Sequence, residues 1–342
     1  VLATISPETD LLVPRPEGST WDPSTVHTHY FGFSVPEQGI GVFIYIRWQP
    51  VFGSSSGGVC VFRGLDNREP LDIEHCNYVY TMPYPSVAGT TITTANGLKV
   101  DFIRPGAEVR LRYDAPDGSA GFDLTQRALS PLVARGHVVP GEDVNALAEQ
   151  QPGGTEQFMH CTGTLRLGSE RYGVDAAAIR DRSWRQVRSE SEMLSPPVGW
   201  SPMYFGPDLM FNQIGFEPLD ADPAWSGLYD VPATTLNHHF GWVCSDGVTR
   251  RLTAVHRSVR SYHPELFAAT EQEIQAEDET GRRYRFRGRA LAMARLPAWP
   301  NFSFTDSVYR WEADDGRIAH CTYQEGWWHR YHRAMARRRR QH

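Results

Sequence analysis

Lysine is almost missing from this chain. Lys99 is the only lysine among 34 basic residues, so Schiff-base chemistry is excluded unless Lys99 itself is the nucleophile. Long apolar runs are missing too. None approaches the roughly 18 to 20 residues of a membrane span, which excludes an integral helical membrane protein. Val1 to Asp10 has neither the basic end nor the apolar centre of a signal peptide. There is no CxxC. The five cysteines, Cys60, Cys76, Cys161, Cys244 and Cys321, are odd in number and widely spaced, each in an apolar strand-like segment. They are expected to be buried free thiols in a reducing compartment, the cytoplasm. No Walker loop or strand-linked GxGxxG occurs, and Gly53 to Gly58 is expected to be a flexible loop, not a phosphate cradle.

The formal charge is −6, and six arginines lie between Arg330 and the end, leaving about −12 for the rest. Such a body excludes nucleic acid as the expected partner. The Arg-rich tail is expected to be a solvated, mobile end. A chain of 342 residues suggests two domains, and an aromatic content of 12% suits β-structure.

The dominant period is two. Glu108 to Asp114 alternates cleanly, with Val109, Leu111 and Tyr113 on one face, as in a half-buried antiparallel strand. Val42 to Trp48 is apolar on nearly both faces and reads as a central strand. Asn96-Gly97, Asp117-Gly118, Asp246-Gly247 and Asp315-Gly316 suit tight hairpin turns. Helical windows are few, the best being 142–150. The class is all-β, and sheets this large must close or stack to protect their edges. The Ser/Pro-rich stretch from Ser189 to Pro202 marks the expected boundary. It divides the chain into domains 1–190 and 191–329, followed by the basic tail 330–342.

Several windows put charge, imidazole or indole into otherwise buried strand. In Asp181-Arg182-Ser183-Trp184, alternation places Asp181 and Ser183 on one face, Arg182 and Trp184 on the other. An arginine beside an indole can position an oxygen or a planar ring; equally, Asp181 can form a structural ion pair. Asn237-His238-His239-Phe240-Gly241-Trp242 offers an acid/base histidine near neutral pH, but its adjacent imidazoles diverge. His27-Thr28-His29 puts both imidazoles on one face. A metal would need a further ligand, and no second HxH or HExxH supplies one, so no metal is assigned. Tyr78, Tyr204, Trp48 and Trp242 belong to an aromatic set able to line an apolar pocket or simply fill a core. Asp72, Glu74 and His75 form a further acid/base cluster.

Gly173 and the small-residue strand before Asp181-Arg182-Ser183-Trp184 resemble the signature of the hydroxyneurosporene synthase (carotenoid 1,2-hydratase) superfamily, which includes AttH-like proteins and lipocalin-like pericyclases. Trp311-Glu312, Gly316-Arg317 and Tyr323-Gln324-Glu325 resemble the hairpin that ends the second domain of bacterial relatives. The resemblance implies two lipocalin-like β-domains in tandem, an apolar ligand site between or within them, and chemistry without a cofactor. It implies hydration or elimination at a C–O bond, or cyclisation. This chain has Arg182 where the carotenoid hydratases carry histidine, and a guanidinium is a poor proton donor at neutral pH.

The expected function is a cofactor-free hydratase or carbon–oxygen lyase acting on a small aromatic (phenolic ether) or terpenoid substrate. Asp181, His29 and His238 are the candidate bases, Arg182 the stabiliser of a leaving oxygen, and Tyr204 or Tyr78 the proton donor. Trp184, Tyr78, Asn237, Trp242 and Trp48 are the candidate substrate-binding residues. The rivals are a lipocalin-like carrier and a pericyclase-type cyclase. A homodimer is compatible with the sequence.

Overall fold

The structure is a computed structural model that describes residues 5–16, 21–136, 153–187, 197–216, 218, 238–298 and 302–340. It is all-β, as expected, with two sheets of 13 and 9 strands. The helical window at 142–150 lies outside the described residues. Two compact units are present, one of residues 2–61 and 74–189, the other of 62–73 and 190–342.

In the first unit the central strands run Ser54–Arg63, Ile40–Gln49, Thr25–Tyr30, Glu170–Val187 and Gly153–Leu167 in spatial order, the last four paired antiparallel. The stretch Gly53 to Gly58, expected to be a flexible loop, is instead buried strand from Ser55 on. The sheet curves as a half-barrel around a core that includes Ile44, Ile46, Trp48, Val59, Val61, Val100, Leu111 and Leu124. Period-two alternation aims these side chains inward. The strand Glu108–Asp114 carries Val109, Leu111 and Tyr113 into that core, as its sequence predicts.

In the second unit, pairing of Val198–Trp200 with both Leu209–Gly215 and Ile318–Trp328 closes eight strands into a ring, which removes the open edges. Inside it, the Arg257 guanidinium meets Glu325 at 3.0 Å, both almost wholly buried, and Glu325 also accepts the Ala269 amide at 2.8 Å. Such a pair needs these extra hydrogen bonds to offset desolvation.

The C-terminal end is not the loose tail its arginines suggest. His329–Arg339 is an α-helix, and Tyr331 and Met335 are buried against Trp327. Tyr331 and Met335 are four residues apart and so share one helix face. His332 on the same helix lies 2.9 Å from the Arg295 guanidinium, and its ring meets Phe267 edge-on. Truncating Met335 to alanine is therefore expected to cost about 2–5 kcal/mol. A denaturant melt checks this; a change near zero would show that the helix is not docked in solution.

Candidate active site

One part of the inner face of the first sheet gathers buried charged and polar side chains. There, Thr25–Tyr30 lies between Ile40–Gln49 and Glu170–Val187. The register sets His29 opposite Arg182 on one side and His27 opposite Trp48 on the other. Alternation puts His27, His29, Trp48, Arg180 and Arg182 on the same face of the sheet. Gly154 pairs with Ser183; a Cβ there would come within 2.3 Å of the Arg182 carbonyl oxygen, so the backbones can approach only at glycine.

Just past this point the Glu170–Val187 strand bulges. Three steps from Ser183 to Gln186 oppose two from Thr28 to Val26, and Arg185 takes a left-handed φ of 55°. A bulge re-aims the side chains around it. Trp184, at its edge, lies under the Arg182 guanidinium, 5.3 Å from carbon Cζ to the ring centre.

Two arginines face inward, and their surroundings differ. Arg180 donates to both oxygens of Asp10, at 2.8 and 2.7 Å, and its Nε donates to Gln157 at 2.8 Å. Asp10 comes from the short 3-10 helix Pro7–Leu11 and also accepts the Gly106 amide. Gln157 in turn donates to the carbonyls of Gly106 and Ser130. Each of the three guanidinium nitrogens of Arg180 thus has a partner.

Arg182, 5% exposed, donates Nη1 to the Thr9 carbonyl, while its Nη2 is buried with no partner. Burial, aided by the Arg180 charge and opposed by Asp10, brings the Arg182 pKa down to about 10.

The histidines are buried and neutral. Trp48 donates its indole N–H to His29 Nδ1 at 3.0 Å. An indole can only donate, so Nδ1 is the acceptor and the proton sits on Nε2. That N–H is buried without a partner. Burial, then the charges of Arg182 and Arg180, hold the His29 pKa well below its ordinary value. The expected role of His29 as a base is therefore overturned: its one lone pair is already taken. It can only donate.

His27 stacks on Trp21, 5.3 Å between ring centres, and neither of its nitrogens has a partner. Burial, then Arg182 and Arg185, lower its pKa to about 3. It keeps a free lone pair, which His29 lacks. Gln126 Oε1, Trp21 Nε1, His27, His29 and Arg182 are all buried in this unit with polar atoms unmet. Phe31 and Phe102 lie beside these groups, their rings 6.0 and 6.4 Å from the His29 ring.

The remaining expected residues fall elsewhere. Asp181 points to the opposite face from Arg182 and meets Arg135 at 3.4 Å, the ion-pair alternative considered for it. Thr28 and Ser183 share a 2.6 Å hydrogen bond on that same face. Tyr78, half-buried, packs edge-on against Tyr80, 5.8 Å away, and burial raises its pKa well above the ordinary phenol value.

Tyr204 and Trp242 belong to the second unit. Tyr204 is half-buried, its pKa raised by burial and by Asp208; Trp242 is fully buried. His238 is placed by its backbone pairing with Gly215, and Asn237 lies outside the described residues. Asp72 and Glu74 are exposed, and Asp72 accepts the backbone amides of Arg68 and Glu69, so they form no buried acid cluster. Sequence reasoning noticed His27 only as half of an HxH and missed Asp10, Trp21 and Gln126 altogether. Among the described residues no three His, Cys, Asp or Glu side chains cluster as a metal would require.

The fold is shared with solved structures. Kievitone hydratase from Nectria haematococca has a TM-score of 0.50 at 11% identity, over 96% of this chain and 97% of its own. A putative AttH from Nitrosomonas europaea has a TM-score of 0.51 at 14% identity, over 95% and 99%. CghA has a TM-score of 0.53 at 10% identity, over 93% and 96%. At these identities the likeness is one of fold. It defines this chain as a protein with an all-β, lipocalin-like two-domain fold. No curated protein matches the sequence. A family model described as a domain of unknown function, DUF7064, matches residues 15–328, and the chain belongs to that family.

Two outcomes follow from the buried charges. Removing the carboxylate with Asp10→Asn strands Arg180, and is expected to cost about 3–5 kcal/mol of stability in a urea melt. His27 and His29 are neutral when folded but regain a pKa near 6.5 on unfolding, so below that pH the unfolded chain binds more protons. Stability is therefore expected to fall as pH drops from about 6.5 towards 3. Thermal melts across that range, with His27→Phe showing a flatter loss, check the assignment.

Proposed function

We propose that the first unit is a cofactor-independent hydratase or carbon–oxygen lyase that binds an apolar aromatic or terpenoid substrate against Arg182, His27 and His29. The observation that carries this reading is the pair of unmet donors, Arg182 Nη2 and His29 Nε2–H, on opposed strand positions among aromatic rings. Burying donors without acceptors costs about 1–3 kcal/mol each, which a substrate oxygen would recover. The kievitone hydratase likeness in fold agrees with hydro-lyase chemistry at a coarse level. The free cysteines suit a reducing compartment such as the cytoplasm.

In the elimination direction, His27 takes the proton from carbon, and the C–H electron pair forms the double bond. The C–O bond breaks and the oxygen leaves with its electron pair. Arg182 and His29 hold that oxygen as an anion by charge and hydrogen bonding. The low dielectric strengthens both contacts. The protonated His27 then returns the proton to the leaving oxygen. Addition of water or of a phenol is the reverse. Arg182 suits a phenolate better than an unfunctionalised polyene, because it supplies a permanent cation and a planar fork of donors.

Turnover of β-aryloxy carbonyl compounds and allylic terpenoid alcohols, followed by chromatography and mass spectrometry, tests the proposal. Arg182→Gln is expected to lower kcat by about 10²-fold or more. His27→Phe should abolish turnover while leaving binding measurable. With His27 carrying the base, the rate should stay flat on the acid side down to a pH near its lowered pKa of about 3, as far as the fold survives. The carrier reading gains from that same low pKa, which makes His27 a weak base in the empty protein. Tight binding of these compounds with no turnover by the unmodified protein would establish the carrier and end the enzyme proposal.

A further inference from the structure

The first unit holds a second reactive arrangement, independent of the one above. Cys60 on Ser54–Arg63 and Cys76 on His75–Pro83 are directly opposite in an antiparallel pair, and their sulfurs are 3.8 Å apart. Opposed Cα atoms in such a pair lie about 4.5–5.5 Å apart, within the range a disulfide spans. The flanking Val59 and Val61 point into the core, so Cys60 and Cys76 lie on the other face, away from His29 and Arg182. His75–Pro83 is the last strand on its side of the sheet, and Cys76 is exposed on it. Cys60 is buried, as are Cys161, Cys244 and Cys321, so Cys76 alone departs from the expectation of five buried thiols.

We propose that Cys60 and Cys76 form a reversible cross-strand disulfide, making this edge of the sheet a thiol modification site that responds to peroxide. Cys76 is the attacking sulfur. The Cys60 thiol beside it, working against burial, brings its pKa down to about 7, so much of it is thiolate at neutral pH. The Cys161 and Cys321 thiols are pushed up to about 12 by burial and stay protonated.

The Cys76 thiolate attacks one peroxide oxygen, the O–O bond breaks, and hydroxide leaves, taking up a proton as water. Cys76 is then a sulfenic acid. The Cys60 sulfur, losing its proton, attacks the Cys76 sulfur and expels a second water. Two thiols are oxidised by two electrons and one peroxide is reduced. A cellular dithiol reverses the bond by exchange.

The bond would close the loop between the two cysteines, which are sixteen residues apart. That loop carries residues 62–73 of the second unit, where Asn67 donates to the Met293 carbonyl at 2.9 Å and Arg68 pairs with Glu265 at 2.7 Å. Closing a loop removes freedom from the unfolded chain and raises the melting temperature.

Hydrogen peroxide titration of the full chain, read by intact mass and peptide mapping, tests the proposal. The expected product has lost about 2 Da, one for each thiol hydrogen, and yields a peptide pair joined through Cys60 and Cys76. A thiol reductant should restore the original mass. The oxidised form should melt higher than the reduced form, a difference that Cys60→Ser abolishes. Cys60→Ser should instead drive Cys76 to sulfinic acid. At pH 7, Cys76 should react with iodoacetamide at least about tenfold faster than Cys161 or Cys321. Retention of all five thiols under peroxide, or overoxidation of Cys76 in the unmodified protein with Cys60 untouched, would overturn the proposal.

Discussion

Two arginines two residues apart share one carboxylate, and the first of them takes it. Asp10 binds Arg180 through both oxygens and leaves Arg182 only a backbone carbonyl. The inner end of the first sheet therefore contains a guanidinium with donor capacity to spare. Its charge also acts on the imidazoles: it helps keep His27 and His29 neutral, and neutral histidines are what allow one to keep a lone pair and the other to offer an N–H. The short helix at Pro7–Leu11 thus sets the electrostatics of a site whose other members come from the middle of the sheet.

The two histidines of one HxH end up with opposite capacities, and the difference lies in one hydrogen bond. Trp48 occupies the His29 lone pair, whereas Trp21 only stacks on His27. Sequence spacing places both rings on one face but says nothing of which nitrogen is engaged. The same holds for Arg182 and Asp181: alternation separates them correctly, yet the partner of each comes from a distant strand or helix.

Local features of the fold were legible because they are written in neighbouring residues. The alternation of Glu108–Asp114 and the turns at Asp117-Gly118 and Asp246-Gly247 are of this kind; both turn glycines have positive φ. The bulge at Arg185 was not legible, since no glycine marks it. The C-terminal helix was hidden by composition: six arginines mask two apolar residues, Tyr331 and Met335, whose spacing of four is the helical signal. The opposition of His29 and Arg182, and of Cys60 and Cys76, depends on strand register, which a single sequence does not reveal. The family resemblance in the Asp181–Trp184 motif did point to the right architecture, an all-β, lipocalin-like two-domain fold.

The Asp10–Arg180 contact joins residues 170 positions apart. A ribosome adding roughly 5–20 residues per second needs about ten to thirty seconds to deliver the second partner after the first. For that interval Asp10 lacks the guanidinium that binds both its oxygens in the fold. The helix Pro7–Leu11 must therefore be among the last pieces of its unit to settle, and the nascent chain remains exposed to chaperones and proteases until the strand bearing Arg180 has left the exit tunnel.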